Sequence, residues 1–345
     1  MPDNSILPSR KTDHIRINLE KDVRSTLTTG LEKYQFIHRA LPELNLSEVD
    51  TSKKIFGKIL RAPILISSMT GGTPEASAIN QTLAAAAEKC VVAMGVGSQR
   101  AAIEDQKLAY TFQIRRVAPT ALIFANLGAV QLNYGYSIEQ CRKAVDMIEA
   151  NALILHLNSL QEALQPEGDT KFSGLLSRIE TICRQMPVPV IAKEVGWGIS
   201  EEDARSLASA GVAAIDVAGA GGTSWSQVEM YRMEDANLAR VAAAFRNWGI
   251  PTSDSIRMVR LGAPGLPIFA SGGLRDGIEI AKCLALGASL AGMAGRFLEA
   301  AAISLDETLG TISEIQRELQ VCMFAVGAAN LNQLDEKTLM PDKGR

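Results

Sequence analysis

The stretch His156–Lys171, HLNSLQEALQPEGDTK, decides how this chain is built. An apolar run, Leu153 to Leu155, enters it and reads as a buried strand of a parallel sheet. Nothing apolar and continuous leaves it: His156, Asn158, Gln161 and Glu162 fall within seven positions. Polar side chains of several kinds at the carboxyl end of a buried strand are where a (β/α) barrel places its chemistry. This stretch is therefore the first candidate for an active-site rim.

Working outward, apolar runs recur at Ile64–Ile66, Val91–Met94, Leu122–Phe124, Leu153–Leu155, Val188–Ile191, Ala214–Val217, Ile268–Ala270 and Leu290–Met293. Most lie about 25 to 35 residues apart, the span of a strand, a helix and two short loops. Between them, Cys141, Ala144, Val145 and Ile148 repeat with helical period, as do Ile280, Cys283, Leu284 and Gly287. Ser137 with Gln140 and Ser200 with Asp203 have capping-box spacing, and Gly211 and Gly287 suit helix C-caps. Eight such units predict a (β/α)8 TIM barrel. The sixth and seventh runs begin 54 positions apart, at Ala214 and Ile268, which predicts an insertion between strands six and seven carrying two extra helices, Asp235–Trp248 and Ser253–Leu261. Residues 1–60 are polar and irregular, with a short helix expected from Asp13 and a basic stretch at Lys53, Lys54 and Lys58. The expected division is an N-terminal arm over 1–60, the barrel over 61–332 and a C-terminal tail over 333–345.

Composition narrows the function. Hydrophobic residues at 47 % and charged residues at 21 % describe a soluble globular chain, and a net charge of −3 argues against nucleic acid as partner. No apolar run approaches the roughly 18 residues of a membrane span, and the charged first 30 positions do not fit a signal peptide. Five cysteines, Cys90, Cys141, Cys183, Cys283 and Cys322, form no CxxC pair, which suits a reducing compartment. A cytoplasmic enzyme of small molecules, with no membrane partner, is the expectation.

Barrels that bind a phosphorylated cofactor commonly do so after strands seven and eight. Here strand seven runs into Ser271, Gly272, Gly273, Leu274 and Arg275, and strand eight into Ala294, Gly295 and Arg296. Glycines let backbone N–H groups approach an anion, and the following helix adds its positive end. The alternative is that these glycines only turn tight corners. Polar or small groups also end the other strands: Ser67 to Gly72, Gly97 to Arg100, Asn126, Lys193 and Glu194, and Ala218 to Thr223. Together they favour a broad, flat, polar ligand. Lys193 could stabilise an anionic ring, or could instead form an ion pair with a neighbouring barrel carboxylate.

The segments RKTDH (10–14), SSMTGG (67–72), VGSQR (96–100), ANLGAVQL (125–132), LHLNSLQEALQPEGD (155–169), KEVGWG (193–198), AGAGGTSW (218–225) and SGGLRDG (271–277), in this order, resemble the type 2 isopentenyl diphosphate isomerases. Those are FMN-dependent (β/α)8 barrels that interconvert isopentenyl and dimethylallyl diphosphate. The resemblance covers about residues 10 to 332, and LQEALQPEGD is its most specific part. It implies FMN, active in its reduced form, held by Ser68, Met69, Thr70, Ser98, Asn126, Lys193, Thr223, Gly273, Leu274, Arg275, Ala294 and Gly295. It implies a diphosphate substrate contacted by Arg10, Lys11, Ser98, Gln99, Arg100 and Gln161, with Mg²⁺ at Glu162. It further implies NADPH as reductant, and a homo-oligomer of tetramer size or larger. Ala218 stands where a serine is expected and Lys171 where a neutral side chain is expected.

Residue chemistry agrees with that implication. Moving a double bond along a chain needs a proton added at one carbon and another removed two bonds away, and a reduced flavin ring nitrogen can serve as acid and base. Gln161 and His156 are the catalytic candidates, to orient groups or relay protons. A lone carboxylate such as Glu162 with several waters is how Mg²⁺ holds a diphosphate. Two other classes compete: an FMN barrel oxidoreductase of the hydroxy-acid oxidase or inosine-phosphate dehydrogenase type, and a non-catalytic flavin or phosphate-ligand sensor. The first needs a His/Arg pair or a strand-end cysteine, and the three histidines are His14, His38 and His156. The second leaves Gln161, Glu162 and Arg100 without a task.

Overall fold

Phe124 and Phe269 stack face to face across the inside of a closed barrel, 6.0 Å between ring centroids. The computed structural model describes residues 13–14 and 16–340, and its eight strands are β1 (Ile64–Ile66), β2 (Ala93–Gly95), β3 (Ile123–Gly128), β4 (Ala152–Leu157), β5 (Val190–Glu194), β6 (Ala214–Asp216), β7 (Ile268–Ser271) and β8 (Leu290–Met293). Each pairs in parallel with its neighbours in the chain, and β8 returns to β1. Closure removes the edges that an open sheet would expose. The TIM barrel is the fold read from the run spacing.

Where strand ends differ from the apolar runs, local chemistry explains it. β2 begins two residues late because Val91, at φ 54°, caps the helix Pro74–Cys90 by donating its N–H to the carbonyls of Ala87 and Glu88. β3, β4 and β5 run further, taking in Asn126, His156 and Lys193. Polar site residues thus belong to the strands themselves. Helix starts follow the caps: Ser137 and Gln140 make the reciprocal capping box, and the Ser200 hydroxyl accepts from Asp203 N.

The insertion differs from its expectation. Three helices fill the interval, Trp225–Arg232, Ala236–Ala243 and Thr252–Gly262. The last packs on β7 and on the helix Glu201–Ser209, so it is the ordinary outer helix of this unit rather than an extra one. The expected helix Asp235–Trp248 stops at Ala243, with Asp235 as its cap. Trp225–Arg232 was not foreseen because Ser226, Gln227 and Glu229 on it are polar yet buried, which hides any amphipathic pattern.

Residues 53–60 are not irregular either. Lys53–Ile55 and Lys58–Leu60 pair as an antiparallel hairpin. Its two-residue turn, Phe56 and Gly57, has φ 44° and 83°, the left-handed pair a tight hairpin requires. Ile55 and Leu60 turn inward to join Leu65, Phe124, Ile154, Ile191 and Phe269, and the Phe56 ring stands edge-on to Phe124 and Phe269 at 6.1 Å each. The lysines face outward or sideways and mask this apolar plug in the sequence. Phe56→Ala should lower the unfolding free energy by about 3 kcal/mol. Urea unfolding measures it, and a loss below about 0.5 kcal/mol would mean the ring fills no shared core.

A candidate active site at the carboxyl ends of the strands

A cavity of about 860 Å³ opens over these strand ends. On one side, β7 leads into Gly272 and Gly273, both left-handed at φ 107° and 75°. A Cβ on Gly272 would stand 2.1 Å from the Gly219 carbonyl oxygen, so two glycine-rich loops meet backbone to backbone. Ala294 and Gly295 begin the helix Gly295–Ile303, whose start carries no side-chain cap. Part of the wall here is the arm. Ser25 N donates to Gly222 O and Ser224 N to Val23 O, and Thr29 packs against Gly221 and Gly273.

Under the cavity, Lys193 Nζ lies 3.2 Å from Asp216 Oδ2 and donates to Ser271 Oγ at 3.3 Å. Lys193 therefore both faces the cavity and holds a barrel carboxylate. Its neighbour Glu194 accepts three backbone N–H groups, from Val195, Gly196 and Trp197, while burial pushes its carboxyl up to about 7 against them. The hydroxyls of Ser67 and Ser68 at the end of β1 are buried without a hydrogen-bond partner among the described residues. Both border the cavity.

The opposite wall is the stretch first singled out. His156 Nδ1 lies 2.8 Å from Asn126 Oδ1. An amide oxygen only accepts, so Nδ1 carries the hydrogen in this arrangement. Gln161 and Glu162 sit on the short helix Ser159–Leu164, buried and bordering the cavity. Gln161 Nε2 donates to Glu229 Oε1 at 2.9 Å, as does Gln165 Nε2 at 2.8 Å, with His14 Nε2 at 3.3 Å and Arg232 on the other oxygen at 2.5 Å. Glu162 accepts from Asn158 Nδ2 at 2.8 Å and from Asp169 N at 2.7 Å. Arg100 pairs with Glu104 at 2.7 Å and with Asp169 at 2.6 Å.

Residues 140–341 match the FMN-dependent dehydrogenase family. An isopentenyl-diphosphate delta-isomerase of Nostoc sp. is 54% identical over 96% of this chain and 95% of its own length. Namesakes from Synechocystis sp., at 53%, and Rickettsia bellii, at 49%, each cover 96% of the chain and 95% and 96% of their own lengths. The chain belongs to the isopentenyl-diphosphate delta-isomerase family. Among solved structures, a chimeric (S)-mandelate dehydrogenase superposes with a TM-score of 0.66 at 16% identity, covering 98% of this chain and 97% of its own. A mandelate oxidase gives 0.64 at 18%, covering 95% and 90%. These two speak for the shared fold.

Most residues singled out for this family converge on the cavity: Ser68, Met69, Thr70, Ser98, Arg100, Asn126, His156, Gln161, Glu162, Lys193, Thr223, Gly273, Leu274, Arg275, Ala294 and Gly295 all border it. Gln99 does not. Its side chain is fully buried behind the strands, donating to Ala144 O at 2.8 Å and accepting from Asn126 N at 2.9 Å, so the expected direct substrate contact is corrected to a support for β3. Arg10 and Lys11 lie outside the described residues. Glu229 was missed, since nothing marks it within a helix that itself escaped notice. The arm residues Val23 to Thr29 were missed because extended backbone contacts leave no periodic signal. Ala218, in place of the expected serine, takes a left-handed φ of 37°, and Lys171 lies 5.6 Å over the Tyr134 ring.

Burial works to raise Glu229, but His14, Arg232 and Gln161 outweigh it and hold the carboxyl down at about 2. Unfolded, it would titrate near 4.5. Its contribution to stability is thus complete above that value and lost as pH falls towards 2. Wild-type protein should lose about 3 kcal/mol more unfolding free energy across this window than Glu229→Gln. Chemical denaturation at stepped pH tests this, and parallel losses in the two proteins would refute it.

Proposed function

We propose that this chain interconverts isopentenyl and dimethylallyl diphosphate by a 1,3-allylic proton shift, with reduced FMN, Mg²⁺ on the diphosphate and NADPH as the source of reducing equivalents. The observation that carries this reading is the pair Gln161 and Glu162, adjacent in sequence and both at the cavity, sharing Asn158 but held otherwise by Glu229 and by Asp169 N respectively. A redox enzyme of hydroxy acids would call for a His/Arg pair poised on a carboxylate. Here His156 is engaged by Asn126, and Arg100 by two carboxylates. A nucleophilic cysteine is not available either: none borders the cavity, and burial pushes the thiols of Cys141 and Cys322 up to about 12.

The residues present fit both groups. Unpartnered hydroxyls at Ser67 and Ser68, glycine backbone at 272–273 and an uncapped helix start at Gly295 suit a phosphorylated ring cofactor. No group of three or more His, Cys, Asp or Glu residues is assembled for a metal among the described residues. One carboxylate, Glu162, beside the unpartnered Asn158 Oδ1, suits a Mg²⁺ ion that takes its other oxygens from water and diphosphate. When bound in reduced form, FMN supplies a ring nitrogen able to give and take a proton.

The chain's own side chains do the rest. Glu229 fixes the Gln161 amide by accepting from its Nε2 at 2.9 Å, and the carbonyl end accepts from Asn158 Nδ2 at 3.2 Å. Such a group orients a proton rather than titrating. Arg100 is available to the diphosphate once it exchanges Asp169 or Glu104 for phosphate oxygens, with Arg10 and Lys11 of the arm completing the charge. In this reading residues 1–60 cover the barrel of 61–332, and 333–345 are a tail. In the same reading the protein acts in the cytoplasm as a homo-oligomer, for which exposed Leu238, Val241 and Trp248 offer apolar surface.

Protein reconstituted with FMN, Mg²⁺ and a reductant should convert isopentenyl diphosphate, and omission of the reductant should stop it. No conversion under reducing conditions would end the proposal, and an extracted FAD in place of FMN would contradict the cofactor. The two adjacent residues should then fail differently. Glu162→Gln weakens the metal clamp, so added Mg²⁺ should partly restore activity. Gln161→Ala should lose roughly 30-fold to 1,000-fold in rate, with no rescue. The reverse pattern across a Mg²⁺ titration would exchange the two assignments.

A further inference from the structure

We propose that Asp216 is a positioning residue that keeps the Lys193 ammonium charged and aimed into the cavity, with Ser271 as the second arm of the bracket. This rests on the FMN reading above.

Asp216 ends β6, is 0% exposed, and does not itself border the cavity. Lys193 on β5 is its direct partner in the strand register. Side chains opposite one another in register share a face of the sheet, so the pair is set by topology. The Ser271 hydroxyl, on β7, donates to Asp216 Oδ1 at 2.5 Å. Having spent its only hydrogen there, it can only accept from Lys193 Nζ, which lies 3.3 Å away. Three adjacent strands thus close a triangle of two directed hydrogen bonds and one ion pair. An ammonium has three hydrogens: one is directed at Ser271, Asp216 Oδ2 stands 3.2 Å away as the counter-charge, and donor capacity remains for a group in the cavity.

Charge makes the same demand. A buried ammonium with no counter-charge is driven to its neutral form. The other titratable neighbours make no ion pair with it: His156, in register on β4, turns to Asn126, and Glu194 turns to the backbone N–H groups of residues 195–197. Glu194 feels the Lys193 charge only at longer range, and among the described residues the carboxylate within ion-pair distance of Nζ is Asp216. Without it the cavity loses its cation, and negative charge that builds on the ring system during reduction goes unsupported. Equally, without Lys193 the Asp216 carboxylate is itself buried and unpaired. The two should therefore be lost as a unit.

The test is a double-mutant cycle read out by the midpoint potential of bound FMN, titrated against a reference dye in wild type, Asp216→Asn, Lys193→Met and the double variant. Each single variant should lower the potential by about 30 mV or more, equal to a tenfold loss of affinity for reduced over oxidised FMN in a two-electron couple. The double variant should fall no further than either single. An unchanged or raised potential in Asp216→Asn, or additive losses, would overturn the proposal while leaving FMN binding standing. Failure of the wild type to bind FMN would instead bring down the functional reading and this inference with it. Should Asp216→Asn not fold, Ser271→Ala serves: a smaller drop of the same sign is expected, and no drop is contrary.

Discussion

The lower half of the barrel is filled, and everything else follows from that. Phe124 on Phe269, with Phe56 of the hairpin edge-on beneath them, occupies the space that eight strands enclose. Aliphatic side chains from most of the strands complete the layer. Such packing is dense and admits no polar group without a partner. Polar residues are consequently confined to the carboxyl ends, where the cavity lies. The site is therefore rigid from below, and its variable parts are loops, the inserted helices and the arm.

The barrel was legible because its periodicity is carried by buried apolar runs, and two of the eight, Ile64–Ile66 and Leu290–Met293, match their strands residue for residue. Runs that stop short did so at Asn126, His156 and Lys193, where strand backbone continues beneath polar side chains. Less legible was anything whose logic is tertiary. The hairpin at 53–60 looks like a basic surface stretch until its alternate residues are seen to enter the barrel. Glu229 reads as a surface acid until the Gln161, Gln165, His14 and Arg232 side chains are gathered round it. Gln99 erred in the opposite sense: a polar residue flanked by site residues points away from the site, because its amide satisfies backbone groups of β3 and of the helix Ile138–Met147.

Four of the six lysines and arginines that border the cavity, all but Lys21 and Arg24, are already committed among the described residues. Lys193 faces Asp216, Arg100 faces Glu104 and Asp169, Arg275 faces Glu279, and Arg296 faces Glu314. Counting basic residues near the cavity thus overstates the field available to an anion. A diphosphate must compete for exposed guanidinium groups, an exchange that costs little at a solvated rim, whereas the buried Lys193 pair stays closed. On the proposed reading, fixed charge lies under the place of the cofactor ring and exchangeable charge at the rim. This division suits a ligand that stays and another that turns over.

The arm adds a kinetic dimension. Residues 23–29 are stitched to the glycine-rich loop through Ser25 N to Gly222 O, Ser224 N to Val23 O and the bridge between Arg24 and Thr223, and Arg246 ties the same segment down through Asp22 and the Arg24 carbonyl. One wall of the cavity thus belongs to a segment far away in sequence from the strands. Its bonds can break in a local opening with its own free energy, well below that of unfolding the barrel, so the wall can loosen while the strands stay closed.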